Sequence, residues 1–279
     1  MAKLFDTQQR IVPTWLEAAR YLDQRPGRKA MNLVLEITDP LTITAEDRRL
    51  MDRVDLALGY SNLTLSTVAG TIFPLDLYRR YGRPAFYERH KEMLKRGKKA
   101  GTWGTYAARM IARPGRDGGE DINPLEMLVR RLSEEGQPHR KSGEASFASA
   151  YEMGIADPQH DLAEVFGGVG GEVPIYNVAF DGLRWMGFPC LSHLSFKRVA
   201  HDSEYVVNLT AVYRSHHYCA RALGNLLGLG QLLWFVAQES GLSVGTLTCL
   251  SSHAELDTHT WGSIATTHNI LTRSKLEEL

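Results

Sequence analysis

Apolar residues recur at two different periods along the chain, and together these periods predict a protein of the α+β class. Helical spacing, which is typical of helices that bury one face, occurs in residues 14–22, 47–58, 75–96 and 123–132. Alternation of apolar and polar residues, which is typical of half-buried strands, occurs in residues 31–39, 62–71, 171–200, 204–213 and 242–250. The helical segment 75–96 contains Gly82 and Pro84, so an interruption is expected there.

A nearly continuous apolar stretch, residues 223–237, predicts a helix that is buried on most sides. Its longest apolar run covers residues 226–237 and includes Gln231. A membrane span needs about 20 such residues, so a core helix is the better interpretation. We therefore predict an α+β domain in which a mixed or mostly antiparallel sheet packs on this central buried helix.

Composition limits the classes of function. The 279 residues include 32 Lys and Arg against 32 Asp and Glu, a balance that predicts no extended nucleic-acid surface and no membrane attachment. Three cysteines at positions 190, 219 and 249 form neither a disulfide framework nor a zinc ribbon. The N-terminal MAKLFDTQQR has no apolar signal region. We expect a protein of the reducing cytoplasm.

Three short motifs combine residue types that carry chemistry. Pro189-Cys190 offers a thiol, Arg214-Ser215 offers a cation beside a hydroxyl, and Asn225 places an amide on the apolar helix. A thiolate is a nucleophile once a nearby cation lowers its pKa, and arginine with serine can hold a phosphate. Structural alternatives exist: Cys190 as a buried small hydrophobe, and Asn225 as an amide bonded to neighbouring backbone.

The order of these motifs resembles the core of the thymidylate synthase and pyrimidine nucleotide hydroxymethylase superfamily. Those enzymes have a Pro-Cys nucleophile, a strand, a Gln-Arg-Ser motif and an Asn on the next helix. Here the stretches read FPCLSHLSFK and VVNLTAVYRSHHYCARALGNLLGLGQLLWFVAQ, and the likeness runs without a gap from Arg214 to Gln238. The resemblance implies one thymidylate synthase-like domain over residues 1–279, with 171–260 as the best-matching core and 1–100 as its divergent part.

The resemblance also implies roles for these residues. Cys190 would add to C6 of a pyrimidine, Arg214 and Ser215 would bind the phosphate, and Asn225 would hydrogen-bond O4 and N3 of a uracil. In the family, two arginines of the other subunit complete the phosphate site, which implies a homodimer. Arg140 and Lys141 stand where that pair is expected. An exposed basic turn is the alternative interpretation of both residues.

Three further positions match the family less closely. His253 lies near the motif whose histidine and tyrosine bind the ribose, although an ungapped alignment places Glu255 on that histidine instead. Glu88 falls within one residue of the general-acid and general-base glutamate, with a solvated helix carboxylate as the alternative. Tyr106 resembles a tyrosine that lines the nucleotide pocket.

Several substitutions separate the chain from the family, two of them at the folate site. His217 replaces the aspartate that binds the pterin, and Arg221 replaces the glycine that leaves room for the folate. Tyr213 replaces the glutamine before the motif's arginine, and Leu191 replaces the histidine after the nucleophile. The C-terminal SKLEEL also lacks the apolar tail that closes over folate. The residues expected to bind the nucleotide therefore resemble those of the family, whereas the residues expected to bind folate do not.

Two clusters of side chains that can bind zinc occur in the sequence, and together they contain His216, His217, Cys219, Cys249, His253 and His259. Adjacent side chains on a strand or helix face apart, and neither Cys-x-x-Cys nor His-Glu-x-x-His is present. We therefore predict no metal.

The function predicted is transfer of a one-carbon group to C5 of a pyrimidine nucleoside monophosphate. The donor would be 5,10-methylenetetrahydrofolate, and the product would carry either a methyl or a hydroxymethyl group. One alternative is a regulatory homologue that binds nucleotide without folate chemistry. Another is the same thiol addition with a different partner substrate, in specialised metabolism or DNA modification.

Overall fold

Helices and a mixed sheet make up the part of the chain that the computed structural model describes, namely residues 2–97, 104–113, 119–135, 152–153, 189–202 and 204–273. The helices are α1 (Ile11–Asp23), α2 (Ala45–Leu58), α3 (Leu65–Ile72), α4 (Leu75–Tyr81), α5 (Ala85–Gly97), α6 (Tyr106–Ile111), α7 (Pro124–Glu135), α8 (Leu223–Ser240) and α9 (Ile264–Thr272). The strands are β1 (Lys3–Leu4), β2 (Lys29–Ile37), β3 (Glu152–Met153), β4 (Leu191–His201), β5 (Glu204–Tyr213), β6 (His216–His217) and β7 (Ser243–Glu255). The α+β class follows the expectation, while residues 171–188 of one predicted strand lie outside the described residues.

The strands form one sheet in the order β1-β2-β7-β5-β4-β3, with β6 paired to β7. β5 and β7 are parallel, whereas β2 with β7 and β4 with β5 are antiparallel. Parallel neighbours need a long crossover, and α8 supplies it between β5 and β7. β4 begins at Leu191, opposite Tyr213 at the end of β5. This register places the residues just before β4 beside those just after β5.

α8 is the central helix that the hydrophobic pattern predicted. It contacts α3, β5 and β7, and it ends at Gly241, whose φ of 68° is in the left-handed region. With the π-helical turn Tyr218–Ala222 before it, the stretch is long and apolar enough to cross a membrane by length and composition. However, 72% of its most apolar 18-residue segment is buried inside the protein, which is typical of a core helix.

Residues 62–71 contain helix α3, so the strand predicted there was wrong. The Thr64 hydroxyl accepts a hydrogen bond from the Thr67 N–H, and the Thr67 hydroxyl accepts one from the Thr64 N–H, both at 3.0 Å. This reciprocal pair starts the helix as a capping box does. The buried residues then follow a spacing of three and four: Leu65, Val68, Ala69 and Ile72. The first residues of this segment alternate between apolar and polar, and this alternation led to the strand prediction in place of the helical spacing that follows.

The interruption expected in residues 75–96 is confirmed. α4 ends at Tyr81 and α5 begins at Ala85. Between them, Gly82 has a φ of 65°, which a glycine adopts without strain.

Glycines allow α8 to approach α3 closely. A Cβ atom on Gly224 would lie 2.6 Å from Val68 Cβ, and one on Gly228 would lie 2.7 Å from the Ala69 carbonyl oxygen. The second neighbour is backbone, so it cannot move aside as a flexible side chain would. Close packing of these two helices therefore depends on the absence of a side chain at Gly228.

Replacing Gly228 with alanine is expected to lower the free energy of unfolding by about 1–3 kcal/mol, because overpacking outweighs the better helix propensity of alanine. Gly70 is the matched control, since a Cβ there meets nothing within 4 Å. Gly70→Ala is expected to stabilise the protein by up to about 1 kcal/mol. Urea denaturation of both variants measures the difference. Equal stability of the two variants would contradict the close-packing interpretation.

Candidate active site

Cys190 lies immediately before β4 and directly beside Arg214, which follows β5. The Arg214 N–H donates to the Cys190 carbonyl oxygen at 2.8 Å. The Arg214 guanidinium donates, through Nη2, to the carbonyl oxygen of Pro189. Cys190 itself is half-buried. The structure therefore brings together the predicted nucleophile and the predicted phosphate-binding arginine, through both main chain and side chain.

Two opposing effects act on the Cys190 thiol. Burial raises its pKa above the ordinary value, and the positive charges of Arg214 and Arg221 partly oppose that rise. On balance the pKa of the thiol lies above its ordinary value. The two cations are nevertheless placed to stabilise a thiolate once it forms.

Alkylation of Cys190 by iodoacetamide is expected to accelerate with pH around a midpoint above the pKa of an ordinary cysteine, because burial raises the pKa of the thiol. Arg221→Ala should raise that midpoint and slow the reaction at pH 7, because removal of a cation disfavours the thiolate. Mass spectrometry separates Cys190 from Cys219 and Cys249, which are buried. Arg53→Ala serves as the control, since Arg53 lines a groove between α1 and α2. A midpoint unchanged by Arg221→Ala would refute this electrostatic coupling.

Tyr106 holds the backbone of the nucleophile segment. Its hydroxyl oxygen accepts hydrogen bonds from the N–H groups of Cys190, at 3.2 Å, and Leu191, at 3.4 Å. Thr105 caps α6 by accepting the Ala108 N–H at 3.1 Å, which fixes Tyr106 at the start of that helix. Burial raises the pKa of Tyr106 to about 12, so the group is a neutral phenol. Its predicted contact with nucleotide stays a prediction.

Ser252 supports the turn that carries Arg214 and Ser215, both of which are half-buried. Its hydroxyl lies 3.0 Å from the Tyr213 carbonyl oxygen and 3.2 Å from that of Arg214, and it donates to them. Sequence reasoning missed Ser252, because a serine on a strand carries no motif of its own.

Asn225 belongs to a buried polar chain with His216 and Ser251. Asn225 Nδ2 lies 3.2 Å from His216 Nε2, and His216 Nδ1 lies 2.9 Å from Ser251 Oγ. His216 also stacks on Tyr213, with ring centroids 4.0 Å apart and an interplanar angle of 3°. Burial lowers the pKa of His216 to about 3, so the imidazole is neutral. From the sequence, His216 was considered only as a metal ligand. Its position in the motif, between Ser215 and His217, is the sequence feature that could have indicated a place in the site.

Asp257 anchors the π-helical turn that carries Arg221. Its carboxylate accepts the N–H of Cys219 at 2.8 Å, the N–H of Ala220 at 3.2 Å and the hydroxyl of Thr260 at 2.7 Å. Asp257 is buried and lies just before the N-terminus of α8 in space, where a negative charge is favourable. No feature of the sequence indicated this role, because Cys219 and Ala220 are far from Asp257 in the chain.

The two residues predicted at the folate site lie on different elements. His217 is half-buried on β6, opposite Glu255 of β7. Arg221 is exposed on the π-helical turn and acts on the Cys190 thiol, as described above. The structure therefore associates Arg221 with the nucleophile.

The remaining predicted residues are less closely tied to Cys190. Glu88 is 70% exposed on α5 and pairs with Lys91 at 2.9 Å, which fits its structural alternative, so its part in proton transfer stays a prediction. His253 is half-buried on β7, opposite Met31. Arg140 and Lys141 lie outside the described residues. Among the residues that are described, His, Cys, Asp and Glu form no group of three or more that could hold a metal ion.

A cavity of about 530 Å³ lies elsewhere in the fold, between α8 and the helices α2, α3 and α4. Gln231 and Trp234 of α8 line it, together with residues of those helices, whereas Cys190 does not. The contacts around the thiol, rather than this cavity, therefore define the candidate active site.

Parts of the chain are similar to curated proteins that carry the name putative thymidylate synthase. The one from Methanococcoides burtonii is 38% identical over 76 residues, which are 27% of this chain and 33% of that protein. The one from Methanosarcina barkeri is 34% identical over 76 residues, with the same coverage. The one from Methanosarcina mazei is 36% identical over 58 residues, which are 21% of this chain and 27% of that protein.

No protein-family model matches the chain. The chain matches a third or less of the length of these curated relatives. The comparisons thus support a partial, thymidylate synthase-like relationship.

Proposed function

We propose that this protein transfers a one-carbon group to C5 of a pyrimidine nucleoside monophosphate, with Cys190 as the nucleophile that adds to C6. The observation that carries the proposal is the contact between Cys190 and Arg214. The Arg214 N–H donates to the Cys190 carbonyl oxygen at 2.8 Å, and the Arg214 guanidinium donates to the Pro189 carbonyl oxygen. The partial relationship to putative thymidylate synthases supports the same reaction class. A thymidylate synthase-like fold is part of this proposal.

The chemistry begins at the Cys190 sulfur. As a thiolate, it forms a bond to C6, and the electrons of the C5–C6 double bond move to C5 and O4, which makes C5 nucleophilic. C5 would then bond to the one-carbon unit, and loss of the C5 proton to a base would release the carrier of that unit and leave an exocyclic methylene at C5. Hydride from the reduced carrier would convert the methylene to a methyl group, whereas water, with loss of a proton, would convert it to a hydroxymethyl group. The electrons that this addition places on C5 and O4 would then re-form the C5–C6 double bond, and the sulfur–C6 bond would break to return the thiolate.

The charges around the thiol suit this reaction, which requires a thiolate. Arg214 and Arg221 both favour the thiolate. The Tyr106 hydroxyl holds the N–H groups of Cys190 and Leu191, which positions the nucleophile rather than activating it. In the proposal, Arg214 also binds the phosphate with Ser215, Asn225 reads the base, and His253 binds the ribose. Glu88 would move protons through water, as the resemblance implies.

The relationship to thymidylate synthases implies folate use in general, and 5,10-methylenetetrahydrofolate is the donor to be tested. The residues present do not fit a pterin placed as in that family. Arg221 occupies the position of a glycine, and its charge acts on Cys190. His217 on β6 offers an imidazole where the family has a carboxylate.

A pyrimidine nucleoside monophosphate is the proposed ligand, and the homodimer with a phosphate site completed by Arg140 and Lys141 stays a prediction. A cytoplasmic location is likewise proposed.

A second candidate function is a nucleotide-binding regulatory protein. The observation that favours it is the pair of substitutions at the expected folate site, where His217 stands in place of the family's aspartate and Arg221 in place of its glycine.

Release of tritium from [5-³H]dUMP or [5-³H]CMP to water, with and without methylenetetrahydrofolate, tests the proposal. Release that depends on the protein and on folate would support one-carbon transfer and identify the base. Nucleotide binding without any release would favour the regulatory alternative. Absence of both binding and release would refute the two candidate functions together.

A further inference from the structure

The cavity beside the central helix α8 contains a polar side chain of that helix, Gln231. It is the only polar residue in the apolar run 226–237, where an amide buried without a partner would be unfavourable. Its side chain is half-buried, lines the cavity and makes no hydrogen bond to any residue in the described part of the chain. Leu227 and Trp234, one turn away on either side, also line the cavity and are half-buried. This face of α8 therefore presents an amide between two apolar side chains, and all three are accessible.

The cavity continues into a second one beside it. The first measures about 530 Å³ and the second about 540 Å³, and both are lined by Ser66, Leu75, Arg79 and Gln231. The two cavities therefore meet at these four residues and form one groove between α8 and the helices α2, α3 and α4. Sites for small molecules have volumes of about 300–1,000 Å³ and are mostly apolar with a few polar groups. Each cavity has this size, and the groove has this composition.

Two arginines give the first cavity an excess of positive charge. Arg48 of α2 and Arg79 of α4 line it, and neither side chain forms an ion pair with a residue that the structure describes. Asp55 is the carboxylate among the described lining residues, and its Oδ1 already accepts the Leu65 N–H at 2.6 Å. Both arginines are exposed, so their guanidinium groups can pair with the charge of a ligand. This lining favours an anion.

Trp234 adds a flat apolar surface that other contacts hold in place. Its ring meets Tyr78 edge-on, at a centroid distance of 5.9 Å and an interplanar angle of 71°. The Tyr78 hydroxyl donates to one oxygen of the Glu239 carboxylate, and Arg83 donates to the other oxygen at 3.1 Å. Side chains that are fixed before binding lose less conformational entropy when a ligand binds. Trp234 is therefore suited to contact a flat ring.

We propose that this groove binds a small organic anion in which a carboxylate is attached to a flat aromatic ring system. The rings lie against Trp234 and Leu227, and the carboxylate pairs with Arg79 and accepts a hydrogen bond from the Gln231 amide. Burial of the rings supplies most of the affinity, while the arginine selects the charge. Cys190 does not line the groove, so the site is separate from the candidate active site and does not depend on the proposed function.

Isothermal titration calorimetry with 2-naphthoate and its neutral amide, 2-naphthamide, tests the proposal. We expect one molecule of 2-naphthoate to bind with a Kd below about 1 mM, and 2-naphthamide to bind about fivefold more weakly because it lacks the charge. Arg79→Gln should weaken 2-naphthoate by about fivefold and leave 2-naphthamide unchanged. Arg49→Gln is the matched control, since Arg49 follows Arg48 on α2 but lines a different groove. Thermal unfolding of each variant verifies the fold.

Nitrogen-15 NMR provides a second readout, which locates the bound 2-naphthoate. The side-chain amide signal of Gln231, identified by its loss in Gln231→Leu, should shift on binding. Failure of the wild-type protein to bind 2-naphthoate, equal affinities for the acid and the amide, or equal effects of Arg79→Gln and Arg49→Gln would overturn the proposal. A dimer that 2-naphthoate dissociates in analytical ultracentrifugation would assign the groove to a second copy of the chain, and would overturn it as well.

Discussion

Replacing Cys190 with alanine is expected to abolish release of tritium from C5 of the pyrimidine, lowering the rate by at least about a thousandfold. Without the thiolate, no covalent bond to C6 forms, and C5 of a pyrimidine is not acidic enough to exchange. Arg214 and Arg221 cannot compensate, because they stabilise charge but supply no nucleophile. The tritium-release assay measures the loss directly.

Cys249→Ala is the matched control for this experiment. Cys249 is a fully buried cysteine of β7, so its replacement removes a thiol from the core rather than from the candidate site. We expect it to keep release within about tenfold of the wild type while lowering the stability by about 1 kcal/mol. If Cys190→Ala retained release within tenfold of the wild type, thiol addition would be the wrong mechanism. Nucleotide binding by Cys190→Ala separates lost chemistry from a lost site.

Replacing Asp257 with alanine is expected to lower the free energy of unfolding by about 3 kcal/mol or more. The N–H groups of Cys219 and Ala220 and the hydroxyl of Thr260 would lose their charged acceptor. Hydrogen bonds to charged groups contribute about 1.5–3 kcal/mol each, and unpaired buried donors are destabilising. The same change would loosen the turn that carries Arg221. Urea denaturation followed by tryptophan fluorescence gives the unfolding free energy.

Two milder variants test the origin of this effect. Asp257→Asn keeps one acceptor oxygen and should lose roughly half as much stability. Thr260→Val removes only one donor to the carboxylate and should lose about 1 kcal/mol. A loss below about 1 kcal/mol in Asp257→Ala would show that the turn does not depend on the carboxylate.

The pattern of apolar residues predicted the elements in which that pattern extends over many residues, and it mispredicted the one in which it extends over few. α8 covers Leu223–Ser240, against a predicted helix over residues 223–237, because a nearly continuous apolar run leaves few alternatives. β5, Glu204–Tyr213, matches the predicted strand because its alternation spans ten residues. α3 was mistaken for a strand, since a few alternating positions precede the helical spacing of Leu65, Val68, Ala69 and Ile72.

The sequence by itself determined the order of the chemical groups in this protein: a thiol, an arginine with a serine, then an amide on an apolar helix. Such order is a property of the chain, and it is visible without any contact. Only the tertiary structure decided that Leu191 lies opposite Tyr213, which joins Cys190 to Arg214. It also decided that Asp257 reaches Cys219 across 38 positions of the chain. These contacts depend on strand register and on the crossover through α8, which are long-range properties that no local pattern encodes.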